Sequence, residues 1–276
     1  MSSAPRRRLS LIFPREHGAW GILLVPLVTG ASAGPLAGQT AWPLVPLTIT
    51  VLGLFWLRTP LESWMGTVPT KARSSSEFEL VRSAVLILGT ISAAALFWLF
   101  WGWRNRGLLW IGMISAAAFI AQAIIRQIWR KARTVAQIIG AAGLTAVAPA
   151  SYSVVTGHLN GEAWSIWFLY LAFAANQIHF VQLRIRVAHA MSPTEKFTLG
   201  RNFIMAQVIL IAFLAAGCAS RALSWYAAMA FLPVLWRGFA WFFSAFKPLA
   251  IRALGKRELI HAILFGVLLI LALAFS

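Results

Sequence analysis

The chain has 276 residues, of which 60% are hydrophobic and only 11% charged, and its formal net charge is +17. A soluble domain of this length carries about a quarter charged residues, so the composition excludes that class and points to a polytopic membrane protein. The surplus arginines and lysines do not form a basic domain with interleaved stacking aromatics. They fall between apolar runs, and nucleic acid is therefore not expected as a partner.

A spanning helix takes about 20 mostly apolar residues. Nine such runs follow in chain order: about Trp20 to Ala37, Trp42 to Leu57, Val81 to Trp101, Leu108 to Ile125 and Val135 to Thr156, then Ala163 to Gln182, Phe203 to Ala219, Leu223 to Phe243 and Leu259 to Phe275. The second is short and enters through Pro43 and Pro46, a proline-rich start that delays the helix. The expected fold is all-α: a bundle of about nine transmembrane helices over residues 19–276, preceded by a cytoplasmic tail at 1–18. Arg6-Arg7-Arg8, the apolar run after Trp20 and Ala31-Ser32-Ala33 imitate a signal peptide. Glu16, His17 and Pro26 interrupt that pattern, so cleavage is not expected.

Alternate connections test the count. One side holds Arg6, Arg7, Arg8 and Arg15; Arg58, Lys71, Arg73 and Arg82; Arg126, Arg130, Lys131 and Arg133; Arg184, Arg186, Lys196 and Arg201; and Arg237, Lys247, Arg252, Lys256 and Arg257. The other side holds Arg104, Arg106 and Arg221, so the 24 cations divide 21 to 3. The positive-inside rule then puts the N-terminus in the cytoplasm. The longest connections, Arg58 to Leu80 and Arg184 to Asn202, lie on the cytoplasmic side. Pro60, Pro69 and Ser74-Ser75-Ser76 mark the first of them as a surface loop or lid.

Polar groups gather at that same side. Gln122, Arg126, Arg130 and Arg133 follow at steps of four, four and three, the spacing of one helical face. Such a stripe can hold a phosphate, a diphosphate or a lipid headgroup, or can simply snorkel to the interface. On the sixth run Asn176, His179 and Arg186 fall within about 80° of one another. Asn176 and His179 lie within the apolar stretch, where polar groups face the bundle interior or a cavity. Glu258 and His261 open the ninth run beside Lys256 and Arg257, and interfacial pairing is the reading there. Pro26, Pro149 and Pro233 can kink their helices. Gly18, Gly21, Gly30, Gly140 and Gly143 suit close helix packing. The histidines show no paired intrahelical spacing and Cys218 is the single cysteine, so neither a metal nor a cofactor is expected.

Pro14-Arg15-Glu16-His17-Gly18-Ala19-Trp20, followed by Gly-Ile-Leu-Leu-Val-Pro-Leu, resembles the opening signature of the YwiC-like bacterial membrane protein family. Arg133 to Gly157 and Lys247 to Phe265 resemble the family's middle and C-terminal segments. That resemblance implies a protein of the bacterial cytoplasmic membrane with no assigned activity. The nine-span, N-inside layout is also similar to the UbiA-type intramembrane prenyltransferases, which hold a magnesium diphosphate on two Asp-rich motifs. This chain contains no aspartate, so it lacks the hard oxygen ligands of that chemistry. Arginine can instead bind an anion directly. The expected ligand set is Arg15, Glu16, His17, Arg58, Gln122, Arg126, Arg130, Arg133, Asn176, His179, Arg184 and Arg186, around a cytoplasm-facing basic cavity.

Three functions follow, in order of preference. The first is a membrane-lipid-embedded binding protein for an anionic, isoprenoid or quinone-like ligand. The second is a divergent transferase on a lipid-linked substrate, with His17, His179 or Glu258 as acid-base groups. The third is a transporter, with Asn176 and His179 in mid-helix.

Overall fold

Within lipid every backbone N–H and C=O must find its partner inside the protein, and helices do this within one segment. The computed structural model describes residues 3–14, 17–36, 41–66, 72–103, 105–129, 132–188, 192–244 and 250–275. These residues form helices and contain no strand. A short helix, α1 (Ser3–Ile12), precedes α2 (His17–Leu36), α3 (Leu44–Met65), α4 (Ser75–Trp103) and α5 (Gly107–Ile128). Then come α6 (Arg133–Thr145), α7 (Val147–Thr156), α8 (Gly161–Arg186), α9 (Pro193–Ala219), α10 (Trp225–Met229), α11 (Leu232–Phe243) and α12 (Ile251–Ala274). Each of the nine apolar runs falls on this series. Eight of them are long and apolar enough to cross a membrane, α6 with α7 and α10 with α11 each counting as one. The apolar stretch of α2, Gly18–Gly34, is shorter.

Two spans are broken where proline removes a backbone donor. α6 gives way to α7 at Ala146, three residues before Pro149, and α10 gives way to α11 just before Pro233. Pro26 leaves α2 unbroken.

Helices extend further than hydropathy alone suggests, because they continue into the interface. α3 does not end at Leu57 but runs through Arg58 and Pro60 to Met65, closing on Gly66 in the left-handed region (φ 69°). Ser75 and Ser76 open α4 rather than forming a loop. Ser74 accepts from the Glu77 N–H at 3.3 Å, and Glu77 accepts from the Arg73 N–H at 2.8 Å. α9 starts at Pro193 behind a capping box of Ser192 and Glu195, so the connection between α8 and α9 is far shorter than expected. The basic stripe does not lie on one helix. α5 stops at Ile128 and Arg133 begins α6; Arg130 lies outside the described residues.

Packing centres on α7, which is buried from Val147 to Val155. Small residues bring α2 onto it: a Cβ at Gly30 would overlap the Ala148 carbonyl, and one at Gly34 would overlap Val155. Gly18, by contrast, has nothing near it. One apolar cluster lies on the side of α8, α11 and α12, including Tyr170, Phe231 and Phe265. A second lies toward α3 and α5, including Leu23, Phe55 and Leu99. The Thr29 and Tyr170 hydroxyls hydrogen-bond between α2 and α8 deep in the bundle. α4 and α5 are mostly peripheral, and their apolar side chains are exposed to the surroundings.

The chain ends sort in agreement with the charge alternation. Residues at the start of α8, the end of α9, the start of α10 and the end of α12 line one common cleft. The opposite ends of α8, α9, α11 and α12 meet through Arg184, Lys196, Trp241 and Glu258. The latter is called the inner end here, after the charge asymmetry, and the former the outer end. At the inner end α1 is strapped to the bundle. The Trp56 indole donates to the Ile12 carbonyl at 2.9 Å, Ser63 donates to the Leu11 carbonyl, and Arg7 pairs with Glu77 at 2.7 Å. The hydrogen bond and the charge of Glu77 together hold the Arg7 guanidinium above its ordinary pKa.

Candidate functional site

The expected ligand residues divide into two groups of contacts. Arg58 donates to Glu62 at 3.0 Å one turn further along α3, and Arg126 of α5 approaches the same carboxylate at 3.8 Å. Gln122 packs on Gly140, where a Cβ would overlap its amide. Arg133 is exposed. Arg15, Glu16 and Arg130 lie outside the described residues, as does the side chain of His17. Among the described residues an acid that partners Arg58 and Arg126 is Glu62, which the hydropathy pattern had placed in a loop.

The second group is denser. Asn176 is buried on α8; its amide donates to the Gln207 Oε1 of α9 at 3.0 Å. Its Oδ1 accepts from Arg237 Nη2 of α11 at 3.3 Å, and Arg237 Nη1 donates to the Glu258 Oε2 of α12. The Arg237 and Glu258 side chains are only 11% and 10% exposed, so this ion pair is almost wholly removed from solvent. Gln177 ties α8 to the same place by donating to the Glu258 carbonyl at 2.7 Å. The Arg237 guanidinium also lies over the Phe180 ring, 4.2 Å from its centroid, a geometry that offsets part of its desolvation. Gly238 makes room for this arrangement, since a Cβ there would overlap the Gln207 amide.

The network is incomplete. Arg237 Nε, Glu258 Oε1 and Gln207 Nε2 are three of the four buried side-chain polar atoms without a hydrogen-bond partner among the described residues. An unpaired buried donor or acceptor costs about 1–3 kcal/mol, and more when charged. Such atoms are expected where another polar group enters.

Toward the inner end the cluster turns basic and aromatic. Arg184 lies 5.6 Å from the Trp241 ring centroid and 6.0 Å from that of Phe180. Lys196 lies 5.3 Å from the Trp241 centroid and donates to the Ser244 carbonyl at 2.6 Å. The capping box of α9 places Lys196 one turn into the helix, facing α11. Arg257 lies close enough to Arg184 for their charges to interact, and among the described residues Glu258 is the one acid whose charge acts on Arg184. Among the described residues no hydrogen bond or ion pair reaches the Arg184 guanidinium. His179 packs edge-on to Phe203 at 5.3 Å and is close to Arg186, which is exposed. His261 bonds the Arg257 carbonyl at 2.7 Å rather than pairing with Glu258.

Sequence reasoning missed Arg237, Lys196, Gln177, Gln207 and Trp241. The signal for Arg237 was present: it is a lone cation inside an apolar run, and intramembrane ionisable residues face a partner or a cavity. The charge tally credited it to a connection, whereas it lies within α11; without it the split is 20 to 3.

These features define a polytopic, all-α membrane protein with a buried ion pair and a basic, aromatic inner end. A model of the family described as YwiC-like protein matches residues 13–152, just over half of the chain, and the chain belongs to that family. No curated protein and no solved structure gives a significant match. The similarity to prenyltransferases therefore rests on the sequence-derived layout, and no comparison supports it. The matched region ends before α8, so the Arg237–Glu258 network lies outside it.

Proposed function

We propose that this chain is a binding protein of the bacterial cytoplasmic membrane. Its ligand is an amphiphile with a phosphate, diphosphate or carboxylate head, taken from the inner leaflet at the inner ends of α8, α9, α11 and α12. One observation carries the reading. Arg184 stands beside Lys196 and Arg257 over the Trp241 ring, and among the described residues no hydrogen bond or ion pair reaches its guanidinium. Among the described residues Glu258 is the one acid whose charge acts on Arg184 and Arg237, so the cluster keeps a surplus of positive charge. A planar guanidinium fork suits a phosphate or carboxylate, and Trp241 and Phe180 suit the first carbons of an apolar tail. The expected basic cavity is thereby centred on Arg184 rather than on the arginines that share Glu62.

The test is lipid analysis of the purified protein. Wild type should carry an anionic amphiphile through purification, and Arg184→Ala/Lys196→Ala should lose it while remaining folded. Equal content in the two samples would count against the site.

The unpartnered atoms of the Arg237–Glu258 network favour transport as the second reading, since ionisable groups within a span mark solute or proton paths. Flux of the identified ligand into proteoliposomes would separate carrier from binder.

A further inference from the structure

At the outer end the starts of α8 and α10 and the ends of α9 and α12 enclose a cleft of about 750 Å³, within the range of roughly 300–1,000 Å³ typical of ligand sites. Its floor is apolar, with Leu169 and Leu269 both buried, and Trp225 stands exposed among the lining residues. Two charges of opposite sign also line it. Glu162, in the first turn of α8, accepts from the Tyr152 hydroxyl through Oε2, while its Oε1 makes no hydrogen bond among the described residues. Arg221 is exposed, and no hydrogen bond or ion pair reaches its guanidinium among the described residues.

The backbone at Arg221 is the second observation. Its φ is 58°, and among the described residues it is the one non-glycine residue in the left-handed region. It immediately follows the C-cap of α9, Ser220, a position where glycine is the usual occupant because a Cβ is strained there. A residue other than glycine held there costs backbone energy, and such strain clusters at ligand clamps.

We propose that this cleft binds one zwitterionic phospholipid of the outer leaflet, with an ethanolamine head. The ammonium lies on Glu162, the phosphate on Arg221, the glycerol region against Trp225, and one acyl chain descends along Leu169 and Leu269. The paired opposite charges select the zwitterion: an anionic head such as glycerol phosphate satisfies Arg221 and leaves Glu162 repelling it. This site is at the opposite end of the bundle from the basic cluster and stands independently of it.

Delipidated full-length protein titrated with dioleoyl phosphatidylethanolamine or dioleoyl phosphatidylglycerol, with bound lipid counted by native mass spectrometry, tests the assignment. Both Arg221→Gly and Glu162→Gln should weaken ethanolamine-lipid binding roughly tenfold, the scale of one charge-assisted contact. Both should leave the binding of the glycerol lipid at the inner end unchanged. Glycine relieves the left-handed strain and glutamine still accepts from Tyr152, so both variants fold, and Arg221→Gly should melt no lower than wild type. Ethanolamine-lipid binding that is unaffected by either variant overturns the proposal. Equal retention of the two lipids at a site sensitive to Arg221→Gly overturns the zwitterion class.

Discussion

Replacing Arg237 by leucine leaves the Glu258 carboxylate nine-tenths buried, with its only side-chain hydrogen-bond donor among the described residues gone. Breaking a buried pair from one side costs about 3–5 kcal/mol, because it strands an uncompensated charge in the apolar interior. Glu258→Leu should cost less, toward about 3 kcal/mol, since Arg237 keeps Asn176 and the Phe180 face. The double variant Arg237→Leu/Glu258→Leu strands no charge. It loses the cation–π interaction, worth up to about 2 kcal/mol when desolvated, and the Asn176 bond, and it regains apolar packing. The coupling between the two positions should therefore be at least about 2 kcal/mol in favour of the double variant. Reversible unfolding in mixed micelles, followed by circular dichroism, measures all four corners of this cycle. Additive losses, with the double variant the least stable, would refute the claim that the two side chains form a desolvated pair.

Other outcomes follow from particular contacts. Gly30→Leu drives a side chain into the Ala148 carbonyl and should abolish folding of the α2 and α7 core, read as loss of the monodisperse peak in detergent gel filtration. Ser192→Ala removes the α9 cap and should lower stability by about 1 kcal/mol in the same unfolding assay, without changing ligand content. In a Cys218→Ser background, a cysteine at Ser220 should react with a membrane-impermeant maleimide applied to intact cells, and one at Ser74 should not. The reverse pattern would invert the orientation read from the charges.

Much of the architecture was legible because lipid imposes one rule on every span. Apolar runs gave each spanning helix, and cation alternation gave which ends meet. Hydropathy was blind where helices leave the apolar layer: Arg58 to Met65 and Pro193 to Asn202 are helical although polar, since caps such as Ser192 and Gly66 rather than hydrophobicity set those ends. It was equally blind to α1, whose place depends on Trp56 and Ser63 holding its last carbonyls. Helical spacing correctly put Asn176 on an interior face, but that face's partners come from α9, α11 and α12. Gln207 is 31 residues away, Arg237 61, and the hydrogen bond from Gln177 to Glu258 spans 81. No local pattern encodes such pairings. Glu258 shows the consequence: its neighbours in sequence suggested interfacial pairing with Lys256, Arg257 or His261, whereas folding brings it to Arg237.

We propose above that the inner-end cluster holds an anionic amphiphile. A thermal-shift titration of the purified protein with dodecyl phosphate, using dodecyl maltoside as the neutral reference, tests it most directly. Ligand at about 100 times its dissociation constant stabilises the bound fold by about 2.7 kcal/mol. The phosphate should therefore raise the melting temperature of wild type in a saturable way and leave that of Arg184→Ala/Lys196→Ala unmoved. An equal rise in both proteins, or none in either, would contradict the account.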